Sequence, residues 1–310
     1  MSVGILNLTK RSVLSIFRVD FDKALTNRWW SGIAQRIQSD QAKSETHDWL
    51  GGVPQMSEQT GDPKFAQMRV NEFTIRNKPW QSGVEVPKAA WLHQKGDVIT
   101  TKVAELVDVA AAHPGELIQT LISQGENTVC YDGQYYFDTD HAEGDSGTQS
   151  NDLTASATTP SAPTASETVD AILKAVVAIW SYKDDKGNGV NVSARQFMVC
   201  SGPTIFPSVL KAVNQELIGS GESNVVVDNK KFTLVPQILP NLTGNKLYLF
   251  RSDAPNGKPF IYQILDEIEP YVLDENSEYC KIHGKLLFGA SGNYNVGYGR
   301  WQGACLVTFT

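Results

Sequence analysis

The chain predicts an α+β fold, and three observations carry the expectation. Residues 97–125 and 168–180 show apolar stripes at helical spacing, the run Phe197 to Cys200 between later helical segments is a short apolar strand, and everything after Lys231 has β character. With 41% hydrophobic residues and 29 aromatic side chains (seven Trp, ten Tyr, twelve Phe), the 310 residues suffice to bury a core without disulfides or metal, which excludes a disordered chain.

Residues 1–64 differ from the rest. Phe17, Phe21, Ala24, Leu25 and Arg28 follow helical spacing up to the pair Trp29 and Trp30, and from Ser39 to Pro63 the chain turns polar and is broken by Gly51, Gly52, Pro54, Gly61 and Pro63. This reads as an N-terminal arm with one short helix, whose aromatics need a neighbouring domain or chain to be buried. Residues 65–93 read as a two-stranded hairpin loop. Phe73 and Ile75 alternate with polar residues, as do Trp80, Ser82, Val84 and Val86, with Asn77-Lys78-Pro79 as the turn between the two strands.

The longest helical pattern starts near Asp97. Val103, Leu106, Val107 and Ala110 form a stripe that Leu117, Ile118, Leu121 and Ile122 continue, with Pro114 predicting a kink or break near His113 and Gly125 as C-cap. The Ser/Thr/Ala/Gly-rich stretch 143–167, with Pro160 and Pro163, reads as a mobile surface loop. A helix over 168–180, a tight turn at 184–189, a second helix over 205–217 and strands at 232–235, 246–250, 259–265 and 301–309 complete the reading.

Charge and cysteine usage narrow the function. Lys and Arg total 27 against 34 Asp and Glu, a net charge of -7, so long-range electrostatics repel a nucleic-acid backbone and argue against a sequence-reading binder. A container wall, by contrast, gains from not adhering to its cargo. Cys130, Cys200, Cys280 and Cys305 stand singly, without the paired spacing of a zinc or redox motif. No basic start with an apolar core marks the N-terminus and no run is long enough for a bilayer span, so the expectation is synthesis in the cytosol and no membrane partner.

Candidate chemistry is sparse. Asp138, Asp140 and His141 are the one grouping that resembles metal ligands, but a polar turn whose carboxylates accept backbone hydrogen bonds is the expected reading, since such short matches recur by chance. The stretch 184–189 starts like a calcium loop but has Lys186 at a ligand position and Arg195 where the bidentate Glu belongs. Gly219-Ser-Gly221 and Gly297-Tyr-Gly299 lack a third glycine, and Gly289-Ala-Ser291 is followed by Gly292-Asn293 rather than completing a nucleophile elbow. The expectation is therefore no catalytic residue, no metal and no cofactor. Arg69, Arg76 and Lys78 give the hairpin a basic edge, read either as a solvated edge that discourages stray pairing or as an ion-pairing surface for a neighbouring copy.

The order of parts carries more than any motif. Arm, hairpin, long helix, α+β domain and returning strands resemble the tailed-phage major capsid fold named after phage Hong Kong 97. The run Ala110-Ala-Ala-His113-Pro114-Gly-Glu-Leu117, then Leu121-Ile-Ser-Gln-Gly125, Cys130-Tyr131-Asp132-Gly133-Gln134-Tyr-Tyr-Phe137-Asp138-Thr-Asp140-His141 and Tyr298-Gly299-Arg300-Trp301-Gln302-Gly303-Ala304 resemble the Mu-type phage major head subunit family. That resemblance implies an arm (1–64), an extended hairpin loop (65–93), a peripheral domain with a spine helix (94–126 and 256–310) and an axial domain (127–255). It further implies a virion structural protein, not an enzyme, assembled in the host cytoplasm. Such a subunit forms pentamers and hexamers that tile an icosahedral head around double-stranded DNA, with scaffold and portal proteins as partners. On this reading Trp29, Trp30 and Trp80, together with Arg69, Arg76 and Lys78, are expected at contacts between subunits. Two other readings stay open: a nanocompartment shell of the same fold enclosing enzyme cargo, and a cytosolic metal-dependent hydrolase centred on Asp138, Asp140 and His141.

Overall fold

A computed structural model describes residues 19, 28–40, 44–47, 73–89, 96–218, 221–229 and 231–310. In chain order the strands are β1 (Ala34–Gln38), β2 (Ser44–Thr46), β3 (Thr74–Arg76), β4 (Lys78–Pro87), β5 (His141–Ala142), β6 (Thr148–Gln149), β7 (Asp152–Ala155), β8 (Gln196–Ser201), β9 (Leu217–Ile218), β10 (Glu222–Ser223), β11 (Thr233–Ile238), β12 (Lys246–Arg251), β13 (Phe260–Leu273), β14 (Lys285–Tyr298) and β15 (Ala304–Phe309). The helices are α1 (Gly96–Gln124), α2 (Ala165–Ser181), α3 (Phe206–Asn214), α4 (Val225–Asp228) and α5 (Glu278–His283), with 3-10 turns at Trp29–Gly32 and Trp301–Gly303.

Two sheets organise the chain. A four-stranded sheet runs β1-β13-β14-β4, and a five-stranded one runs β11-β8-β12-β15-β7. The former is built on the long antiparallel pair β13–β14, with α1 laid along β14, β13 and β4. In the latter, β8 and β12 are buried on both faces. Helices α2 and α3 lie side by side against this sheet, α2 on β15, β12 and β7 and α3 on β11 and β8.

Several sequence expectations need correction. The 65–93 hairpin does not form between β3 and β4: β3 pairs with β2, and β4 pairs with β14 over its whole length. The reason lies at Asn77. Its buried amide oxygen accepts from Gln263 Nε2 at 2.7 Å, and Gln263 also donates to the Ile75 carbonyl at 3.1 Å, so the supposed turn is pinned in extended form against the sheet. Pro79 and Pro87 fit this placement, because β4 is an edge strand and tolerates missing N–H donors.

Pro114 sits inside α1 without breaking it. A continuous seat on the sheet outweighs the one lost backbone bond. Gly125 follows the helix but has no positive φ; it is glycine because a Cβ there would lie 2.6 Å from Phe137 Cδ2. The 143–167 loop contains β7, an edge strand of the five-stranded sheet, and ends in a capping box in which Thr164 and Glu167 bond each other's backbone. The hydroxyls of Ser146, Ser150 and Thr164 bond backbone groups, which composition alone does not distinguish.

The terminal strand also changes place. Expected with 256–310 in the peripheral domain, β15 pairs with β12 and β7, so residues 304–309 complete the five-stranded sheet. Strand β14 has no counterpart in the sequence reading. Its Gly289 and Gly297 lie where a Cβ would meet the Tyr271 ring and the Ile75 side chain, so glycines that look like turn formers mark close packing.

Candidate functional site: the junction turn and the exposed sheet faces

The run 128–143 lies at the junction of the two sheets. Tyr136 stacks on Tyr298 at 4.4 Å, Phe137 meets Tyr248 at 5.5 Å, and Phe250 meets Phe260 at 5.3 Å, so one aromatic cluster joins the end of α1, the five-stranded sheet and the β13–β14 pair. Polar groups lock its outer side. Tyr136 donates to the Pro259 carbonyl at 2.8 Å, and Tyr298 to the Leu121 carbonyl at 2.8 Å.

Beneath the turn a buried hydrogen-bond network is closed on itself. His141 Nδ1 donates to Asp132 at 2.6 Å, the Cys130 thiol donates to the same carboxylate at 3.0 Å, and the imidazole stacks on Trp301 at 4.0 Å. Burial pushes the Asp132 carboxyl up, but the bonds from His141 and Cys130 outweigh it and hold it below its ordinary value. Burial raises the Cys130 thiol strongly, keeping it a proton donor. Nearby, Glu143 accepts from Tyr131 at 2.7 Å, Trp301 Nε1 at 2.9 Å and Gln302 Nε2 at 3.2 Å, and its carboxyl is raised by burial.

The metal-like trio of the sequence is not brought together. Asp138 accepts from the backbone N–H of Thr139 at 2.7 Å and of Tyr135 at 3.2 Å, the turn-organising role, and Asp140 is exposed. The group that does converge is Cys130, Asp132 and His141, with ligand atoms within 4.8 Å of one another. Sequence spacing missed it because Cys130 and His141 meet only when β5 folds back over the turn. Each of the three atoms is partnered by another of the set, so the cluster is complete as a hydrogen-bonded unit.

The predicted contact residues fall into different environments. Arg69 lies outside the described residues. Arg76 and Lys78 are exposed, at the end of β3 and the start of β4. Trp30 is largely buried in its own chain, edge-on to Tyr262 at 5.0 Å. Trp29 and Trp30 sit on α1 at Gly115, where a Cβ would be 3.0 Å from Trp29 Nε1 and 2.9 Å from Trp30 Cδ1. Trp80 is half-buried: its indole donates to the Tyr294 carbonyl at 3.0 Å and packs on His113 at 4.4 Å. Sequence reading missed the exposed apolar side chains of the five-stranded unit, among them Leu217 at 63%, Val225 at 59% and Val235 at 51% exposure, because their spacing resembles core.

Comparison with known proteins now bears on this arrangement. The family model for the Mu-like prophage major head subunit gpT matches residues 10–165. Among curated relatives, the Mu-like prophage FluMu major head subunit of Haemophilus influenzae is 35% identical over 37% of this chain, and the major capsid protein of Escherichia phage Mu is 29% identical over 42%. These stretches span 37% and 43% of the relatives' own lengths. Among solved structures, a chain of the bacteriophage JBD30 procapsid superposes with a TM-score of 0.53 at 21% identity, covering 96% of this chain and 74% of that one. The fold is thus the Hong Kong 97-type capsid fold.

Proposed function

Because the chain belongs to the Mu-like prophage major head subunit gpT family, we propose that it is the shell-building subunit of a phage head. In this reading it assembles as pentamers and hexamers into an icosahedral wall in the host cytoplasm, with scaffold and portal proteins as partners. The wall encloses double-stranded DNA without reading its sequence, as the net charge of -7 suits. The chain has a structural role and no catalytic one. Residues 1–64 serve as an arm and residues 65–93 as part of an extended loop; α1 with β13 and β14 forms the peripheral domain, and 127–255 with β15 the axial domain.

The observation that carries the reading is the coincidence of a head-subunit family match over 10–165 with a capsid fold over nearly the whole chain. The shape agrees with it. Among the described residues, strands β1 and β4 leave the edges of the four-stranded sheet unpaired, and apolar side chains stand exposed on the five-stranded unit, as expected of a subunit whose burial is completed by several copies, each contact of ordinary size. Electron microscopy of the expressed chain, with and without a candidate scaffold, tests it. Closed icosahedral particles are expected, and a chain that stays monomeric under every assembly condition refutes the proposal. A co-purifying enzyme inside the particles would instead favour a nanocompartment shell.

A further inference from the structure

The cleft between the Trp29–Trp30 pair and the middle of α1 holds four buried donors that bond no acceptor among the described residues. Arg28 Nε and Nη2, Trp30 Nε1 and Gln119 Nε2 are shielded from solvent and, among the described residues, make no hydrogen bond. Arg28, Trp30 and Gln119 line one cleft of about 330 Å3, with Trp29, Glu116 and Asn241 on its walls. Trp30 is 7% and Gln119 6% exposed, so the deficit is built into the core side of the cleft. A buried donor without an acceptor costs its full desolvation, and four in one place is far from the usual pattern of buried groups finding partners. Desolvation also lowers the Arg28 pKa, against the pull of Asp108 and Tyr262. Glu116 bonds none of the four.

We propose that the cleft receives a carboxylate side chain from a second copy of this chain, a contact between subunits of the shell. A carboxylate has two oxygens and about four lone-pair sites, enough for the Arg28 fork together with Trp30 and Gln119. The 34 acidic residues of an acidic chain provide the occupant, and that same charge disfavours the phosphate of enclosed DNA. The inference rests on the shell-building reading above.

Cryo-electron microscopy of assembled particles tests the occupant. An Asp or Glu of a neighbouring copy is expected about 3 Å from Arg28 and Gln119; water, a phosphate, or a carboxylate of the same chain there overturns the proposal while the shell reading stands. A second arm uses Arg28→Met, which keeps an unbranched apolar stem and removes the guanidinium donors. At least tenfold fewer closed particles are expected from subunits with unchanged circular dichroism, and an undiminished yield overturns the proposal. Should that variant fail to fold, Gln119→Leu carries the same test. A wild-type chain that never forms particles overturns the reading beneath the proposal and the proposal with it.

Discussion

The two sheets solve the burial problem differently. In the five-stranded sheet the central strands β8 and β12 are buried along nearly their whole length, sandwiched between α2 and α3 on one side and the aromatic junction on the other. In the four-stranded sheet, β4 alternates exposed and half-buried residues, and beyond its bulges near Asp266 and Glu269 the far half of β13 is mostly half-buried or exposed. The central strands of one sheet are closed on both faces, whereas among the described residues the other is a platform covered by one helix. Hydrophobic burial holds the central strands of the first, and the second keeps more of its strand surface half-buried or exposed.

The sharpest way to break that comparison is truncation on each side. Phe250→Ala removes a fully buried ring from the junction and is expected to cost about 3–5 kcal/mol in denaturant unfolding of the subunit, while Trp80→Ala, half-buried on the platform, is expected to cost about half as much. Equal losses would mean that the platform is as closed as the core.

A smaller effect separates the polar network from apolar packing. Glu143→Leu leaves the donors of Trp301 and Gln302 without an acceptor, while Tyr131 keeps Gln302 Oε1, and is expected to cost about 3 kcal/mol, whereas Glu143→Gln keeps the accepting oxygen and is expected to stay within about 1 kcal/mol. The pH dependence has a definite sign. Burial raises the folded pKa of Glu143 above its unfolded value, so wild-type stability relative to Glu143→Gln falls as pH rises from the ordinary carboxylate range and levels off above the folded pKa. Asp132 behaves oppositely: its lowered folded pKa gives a contribution present above the ordinary carboxylate range and lost as pH falls through the folded value. Thermal melts from pH 3 to 8 on wild type, Glu143→Gln and Asp132→Asn check both signs.

The smallest expected effect tests the seat of the tryptophans. On a bare helix Gly115→Ala would gain about 1 kcal/mol; here its Cβ meets both indoles, so a net loss of about 1 kcal/mol is expected in subunit melts. A gain would show that the Trp29–Trp30 pair yields at little cost.

The α+β class, the course of α1, the helix near 168–180 and the turn at Asp184, whose Oδ1 accepts from Lys186 and Asn188, were legible in the sequence because each is set by neighbours a few residues apart. The backbone-capping role of Asp138 was legible for the same reason. The donor-lined cleft and the Cys130–Asp132–His141 set were not, since their members come from separate elements.

By itself, then, the amino-acid order determined local periodicity, turn chemistry and net charge, which are short-range or additive properties. Tertiary structure alone decided that β4 pairs with β14 instead of β3, that the glycine-rich run 285–298 is a central strand, and that the C-terminal strand crosses into the five-stranded sheet. Strand partnership depends on which distant backbone offers its free edge and on the room left for side chains. Gly289 and Gly297 acquire their meaning only from the Tyr271 and Ile75 side chains brought against them.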